Sequence, residues 1–392
     1  MQHRRFAFAA LALSTTLSLT AAPTTASACG GTFCSNSPIT QNAERVLFIR
    51  RGEGDTTAVV QIQAQGNDPD FAWVVPLESM PRDIHEEPTT TFLGLDQSTA
   101  PTYLFFNRAS FSSGSGGGGF GCGAAESAAT AGAAPESDNA VRVWASGETG
   151  NYRYDVVSSE DPAALRRWLD DNRYRTPVEA EPIIAEYVSE HKLFLAVRLR
   201  AVQGVPSFLV TPLAFTYAGR APCVPIRLTR IATVPSLPVL TYVVSDRRAI
   251  PMNFSQTTVA DVDVARLGPT RFNTQSYDQL VANAVNEAGG RAWVTEFAGD
   301  LPEQARSLFS PELQALLPAR PYLTRLYTTI PADRMDRDPE FMFVTGLPDV
   351  SNQHDLSGYP ATASALDPRW LLGASAGVGL LRAAWRRRKR AA

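Results

Sequence analysis

Lysine is almost missing from this 392-residue chain. Lys192 and Lys389 stand alone among 36 basic residues, and the rest are arginine. Together with abundant Ala, this reads as coding bias from a GC-rich genome, without mechanistic content. Histidine occurs four times, and no two sit at the spacing of a metal-binding pair, which excludes the sequence signatures of zinc hydrolases. Cysteine also occurs four times and never as CxxC, which argues against a tetrahedral zinc site. Acidic residues are absent from 1–28 and from 369–392. These ends are basic and partly apolar, and they indicate where the chain works.

At the start, Arg4 and Arg5 precede an apolar stretch from Phe6 to Ala22. Ala26-Ser27-Ala28 then fits the small-x-small pattern of signal peptidase, so residues 1–28 are predicted to be a signal peptide with Cys29 first in the mature chain. At the other end, Trp370 to Leu381 is apolar and Arg382 and the Arg386–Arg390 cluster follow. Twelve residues make a helix of about 18 Å, and extension to Trp385 gives roughly 24 Å. That is marginal against a hydrocarbon core of about 30 Å but workable with local thinning. The sequence therefore predicts an exported body, residues 29–350, and a linker over 351–368. A C-terminal membrane-anchor helix over 369–392 would keep its Arg cluster in the cytoplasm.

The body from Cys29 to Pro368 holds 27 bases against 39 acids, a net charge of −12. Such a surface repels phosphates, so no nucleic-acid partner is expected. A hydrophobic content of 44% and a charged content of 19% are ordinary for a folded domain. In an exported chain, the even set Cys29, Cys34, Cys122 and Cys223 predicts two disulfides, with three pairings open. Lipidation of Cys29 would leave three thiols, and Ala26 is a poor match to the Leu usual at that position.

The pattern predicts an α+β, β-rich mixed ectodomain with several short helices. Strands are expected at Arg45–Arg50, Thr57–Ala64, Phe71–Leu77, Thr102–Asn107, Val141–Trp144, Tyr152–Val157 and Leu193–Leu199. More are expected at Ser207–Thr211, Pro225–Leu228, Val239–Val244, Leu323–Thr328 and Glu340–Val344. Pro76 marks a strand end or an edge. Asp161-Pro162 is a helix start, with a carboxylate cap before a first-turn proline. Helices are expected over Val178–Glu190, Tyr277–Ala288, Ala292–Phe297 and Pro311–Leu317. Residues 110–135 are almost entirely Gly, Ser and Ala, a composition that predicts a flexible insertion. Two echoes, WVVPLE (Trp73–Glu78) with LVTPLA (Leu209–Ala214) and LTRIATVP (Leu228–Pro235) with LTRLYTTIP (Leu323–Pro331), raise the question of a duplicated β-unit.

Several separated motifs carry a family resemblance. They are C-G-G-x-F-C at Cys29–Cys34, AERVLF at Ala43–Phe48, DFAWVVPL at Asp70–Leu77, LRRWLDDNRYRTP at Leu165–Pro177 and TRLYTTIPADRMDRDPEF at Thr324–Phe341. In that order they resemble a bacterial family named domain of unknown function 2330, across about Cys29 to Val350. The resemblance implies an exported, often membrane-attached protein and implies no catalytic residues. The tail also resembles the tripartite sorting signals of bacterial surface proteins, without their signature dipeptide or cysteine.

No motif for catalysis stands out. Gly373-Ala-Ser375-Ala-Gly377 matches a nucleophile elbow by letter but lies in the apolar tail, where a small-residue helix face explains it. Gly114-x-Gly116-x-x-Gly119 matches a dinucleotide fingerprint but lacks the helix that would bind pyrophosphate, so no cofactor is expected. His85-Glu86-Glu87 and His354-Asp355 are local acid–histidine pairs; Asp261 and Asp263 form a weaker carboxylate pair. Asp333, Asp336, Asp338 and Glu340 form a carboxylate run without EF-hand spacing, expected to be a solvated turn that caps backbone amides, and no metal is expected. The leading expectation is a non-enzymatic binding or scaffold module of the cell envelope, with an envelope protein or polysaccharide as partner besides the membrane. The alternatives are an envelope hydrolase with a site assembled from distant residues, and a precursor whose tail is cut.

Overall fold

A computed structural model describes residues 32–34, 40–52, 54–65, 71–105, 141–174, 176–199, 210–219, 221–231 and 233–359. The expected leader, insertion and tail, with both glycine motifs, lie outside these residues. Among the described residues no helix is long and apolar enough to cross a membrane.

The first strands are β1 (Thr32–Cys34), β2 (Thr40–Arg50), β3 (Asp55–Gln65), β4 (Phe71–Leu77) and β5 (Arg82–Glu86). Helix α1 (Thr90–Thr99) leads to β6 (Thr102–Leu104), and β7 (Val141–Thr149) and β8 (Tyr152–Ser159) form a hairpin. Helices α2 (Pro162–Asp171) and α3 (Glu181–Ser189) precede β9 (Leu193–Leu199) and β10 (Leu213–Ala218). Then come α4 (Ile226–Thr229), β11 (Ser236–Ser245), β12 (Arg248–Pro251), β13 (Ser255–Thr257), α5 (Asp261–Arg271) and α6 (Thr274–Glu287). The chain continues through β14 (Ala292–Asp300), α7 (Glu303–Arg306), α8 (Pro311–Leu316), β15 (Tyr322–Pro331), β16 (Phe341–Val344) and β17 (Gln353–Asp355).

Two sheets form the centre. One has the order β1-β4-β9-β8-β7, and the other β13-β14-β15-β11-β2-β3-β10-β5. The larger sheet is mixed: β2 runs parallel to β11 and antiparallel to β3. Side-chain alternation explains why the strands read as unbroken apolar runs. Val46 and Phe48 of β2 meet Trp73, Val75 and Leu77 of β4 between the sheets. Leu47 and Ile49 point the other way, onto Phe92 and Leu95 of α1 and Leu313 of α8. Ala72 and Val74 pack beneath Leu165 of α2 and Ile183 and Ile184 of α3. The result is four layers in order: helices α2 and α3, the five-stranded sheet, the eight-stranded sheet, and α1, α6, α7 and α8. This is a strand-rich α+β fold.

Local rules place many boundaries. Asp161 caps α2 by accepting from the Ala163 N–H at 2.9 Å. Pro76 lies in β4 beyond the end of its pairing with β1, which covers Phe71 to Trp73, and stands opposite Phe194 of β9. Three expectations are corrected. Pro225–Leu228 is not a strand: Pro225 immediately precedes the short helix α4, which begins at Ile226. Ala292–Phe297 is not a helix but most of β14, paired with β13 and β15. The span read as linker begins with β17, which pairs in parallel with β6. The second echo is not matched in structure: Leu228 and Thr229 end α4, while Leu323–Pro331 lies in β15.

Candidate functional site

The outer face of the eight-stranded sheet is open between α1 and α6. A cleft of about 770 Å³ lies there, a size common for ligand sites. Its floor comes from β2, β11, β14 and β15, and its walls from the C-terminal end of α1 and the start of α6. Helix α5 breaks at Gly268, whose φ of +67° suits glycine, and Pro269 follows. The chain then leaves α5 at Phe272, on the cleft wall. Asn273 and Ser276 lock the first turn of α6 in a reciprocal capping box, with both bonds at 2.9 Å. That fixes Tyr277 and Asp278 on the cleft side.

Beneath the cleft the polar side chains satisfy one another. Arg325 of β15 donates through Nε to Glu296 Oε2 of β14 at 2.6 Å. Its NH1 donates to Asp96 Oδ1 of α1 at 2.9 Å and to the Tyr242 hydroxyl of β11 at 2.5 Å. Tyr242 donates its own hydroxyl hydrogen bond to Asp96 Oδ1 at 2.6 Å. Arg45 NH1 meets the other Asp96 oxygen at 3.3 Å. Tyr277 donates to Glu296 Oε1 at 2.6 Å. Two guanidinium groups thus balance two carboxylates, and each carboxylate oxygen has a donor. Burial pulls the Arg325 pKa down, but Tyr242, Glu296 and Asp96 outweigh it and hold the charge more firmly than usual. Burial raises the Tyr277 and Tyr242 hydroxyls, so both stay protonated donors.

Above this floor, Tyr327 donates to Asp278 Oδ1 at 2.7 Å. Burial raises the Asp278 pKa, and the tyrosine bond opposes that rise. The Tyr277 and Tyr327 rings lie nearly parallel, 12° apart with centroids at 6.4 Å. Phe272 adds a third ring and Asn273, Thr274 and Gln63 add amide and hydroxyl groups. The arrangement offers apolar faces and hydrogen-bonding edges on a rigid, charge-balanced base.

The histidines lie apart from one another. His85 Nδ1 meets the Asp83 carbonyl at 2.7 Å and its Nε2 meets Glu87 Oε1 at 3.1 Å. A doubly protonated ring would donate to both, and the Glu87 bond raises the His85 pKa. Glu87 also accepts from Ser310, the cap of α8, at 2.6 Å, so this cluster ties β5 to that helix. His354 Nδ1 meets Asp261 at 2.8 Å, and its ring stacks on Tyr103. His191 ends α3 in a left-handed turn, φ +56°. Among the described residues no Ser, Thr or Cys side chain bonds to a histidine ring, and no group of three or more His, Cys, Asp or Glu could hold a metal ion.

The carboxylate run is split. Asp336 pairs with Arg291 and Asp333 with Arg334 at the surface. Asp338 is not solvated: it accepts from the Arg227 backbone and Nε, both at 3.0 Å, and from Tyr187 at 2.7 Å. Asp263 pairs with Arg266. Cys223 carries a free thiol, so the disulfide expected there is not formed; the residue sits half-buried at a cavity between the sheets. Cys29 and Cys122 lie outside the described residues, and Cys34 is described only as the last residue of β1.

None of Asp96, Tyr242, Glu296 or Arg325 stood out in the sequence. Their signal was a lone charge inside an apolar strand, Arg325 in YLTRLYTTIP and Glu296 in AWVTEFAGD. On adjacent strands such charges are expected to pair.

No curated protein matches the chain. Among solved structures, the crystal structure of baculovirus P35 aligns over 55% of this chain and 76% of that chain at 10% identity, with a TM-score of 0.28 that carries no argument. A family model described as "Uncharacterized protein conserved in bacteria (DUF2330)" matches residues 23–342, and the chain belongs to that bacterial family.

Proposed function

We propose that this protein is an exported, non-enzymatic binding module of the bacterial envelope, held at the membrane by its C-terminal segment, with the cleft between α1 and α6 as its ligand seat. The observation that carries the reading is the floor of that cleft. A buried network whose members all bond one another supports a rigid seat. The carboxylates of that network, Asp96 and Glu296, are held by its guanidinium and tyrosine donors; Asp278 and Glu44 line the cleft outside it. The tyrosine and phenylalanine rings suit the C–H faces of a sugar, and Asp278, Asn273, Thr274 and Gln63 suit its hydroxyls. Carboxylates outnumber guanidinium groups along the lining, which disfavours anionic ligands. The ligand class is therefore a neutral polysaccharide or oligosaccharide of the envelope. Export and anchoring rest on the basic, apolar ends of the sequence.

Binding of the full chain to soluble neutral, anionic and cationic oligosaccharides tests the seat. Neutral glycans should bind, and Tyr327→Ala should weaken them at least tenfold. Absence of binding to every neutral glycan overturns the reading. Cell fractionation tests the location: removal of residues 370–392 should shift the protein from the membrane to the soluble exported fraction.

A further inference from the structure

A second cavity opens between the two sheets, on the opposite face of β2 from the cleft floor. It encloses about 60 Å³, room for a group of a few carbons. Its inner wall is apolar: Val46, Phe48, Val60, Ile62, Trp73 and Phe215. Its polar end holds Glu44 and Gln41 of β2, Glu78, Lys192, Cys223 and Asp338.

Most charges at that end have partners. Lys192 Nζ lies 3.4 Å from Glu78. Asp338 is held by Arg227 and Tyr187. Glu44 differs. It is 6% exposed and accepts one hydrogen bond, from Gln41 Nε2 at 3.0 Å. No Arg, Lys or His among the described residues forms an ion pair with it. A carboxylate buried with a single amide partner is a costly arrangement, and a cation supplied from outside would relieve it. Burial raises the Glu44 pKa to about 7, the Gln41 bond opposes this, and Asp338 adds to it. A group held near neutrality can ionise at little cost when a cation arrives. The nearby Asp338 and Glu78 carboxylates disfavour an anion at the same place.

We propose that the inter-sheet cavity is a binding site for a small organic cation with an apolar body, its ammonium seated on Glu44 and its hydrocarbon part between the sheets. Glu44 also lines the cleft, so the two sites share this carboxylate; the proposal does not depend on the sugar-binding reading.

Calorimetric titration of the full chain at pH 8 with n-butylamine, 1-butanol and butyrate tests this. Butylamine should bind saturably and at least tenfold more tightly than butanol, and butyrate should not bind. Glu44→Gln keeps the size and hydrogen bonding of the side chain; it should cost butylamine at least tenfold and leave butanol unchanged. Equal binding of butylamine and butanol, absence of saturable butylamine binding, or full amine affinity in Glu44→Gln would overturn the proposal. The selectivity of the unsubstituted protein decides the matter even if the variant does not fold.

Discussion

Arg325 and Glu296 meet at 2.6 Å on adjacent strands, with side chains 8% and 1% exposed. Such a pair tolerates removal of both charges far better than removal of one. Arg325→Met leaves Glu296 buried without its cation and should destabilise the fold by about 3–5 kcal/mol. Adding Glu296→Leu to that variant should recover much of the loss. Urea unfolding of the single and double variants measures this; a loss below about 1 kcal/mol for the single variant would mean that solvent reaches the pair.

Glu44 gives stability a pH dependence of definite sign. Its folded pKa is raised from 4.5 to about 7, so between those values the folded state holds a proton that the unfolded state has lost. Stability from this group is therefore full below pH 4.5 and falls as pH rises towards 7, by about 3 kcal/mol in all. Glu44→Gln should gain on the unsubstituted protein across that window and hold its advantage above it. A stability difference that does not change with pH would contradict the burial of this carboxylate.

His85 contributes in the same direction at higher pH. Its folded pKa is raised above 6.5, chiefly by the Glu87 bond. Its stabilisation is complete below pH 6.5 and is lost as pH rises through the folded value. His85→Gln should therefore destabilise more at pH 6 than at pH 9, as thermal melts at the two values would show. Equal effects would indicate a neutral ring.

Cys223 should be a slow thiol. Burial drives its pKa well above the ordinary value, and the Asp338 and Glu340 carboxylates push the same way. A thiol reagent at pH 8 should label it far more slowly in folded protein than in urea, because the thiolate is the reactive form. Labelling at the unfolded rate would contradict its placement at the inter-sheet cavity.

The layers were more legible than the site. The apolar runs at Phe71–Leu77 and Leu193–Leu199 coincide with β4 and β9, because strands buried on both faces leave little else to read. Asp161-Pro162 marked α2 because capping is local chemistry. Ala292–Phe297 misled because a short apolar run fits either period, and pairing with β13 and β15 decides it. Asp338 looked solvated because its partners, Arg227 and Tyr187, lie 111 and 151 residues away. The cleft floor was hidden for the same reason: Asp96, Tyr242, Glu296 and Arg325 come from four elements and meet only in the fold.

The central claim is that the cleft between α1 and α6 binds a neutral glycan without cleaving it. Calorimetry of the full chain with such a glycan tests binding and turnover together. The account predicts a saturable heat at one site, weakened at least tenfold by Tyr327→Ala, and a flat baseline after each injection. Absence of saturable heat with neutral glycans, or heat that persists while new reducing ends appear, would contradict it.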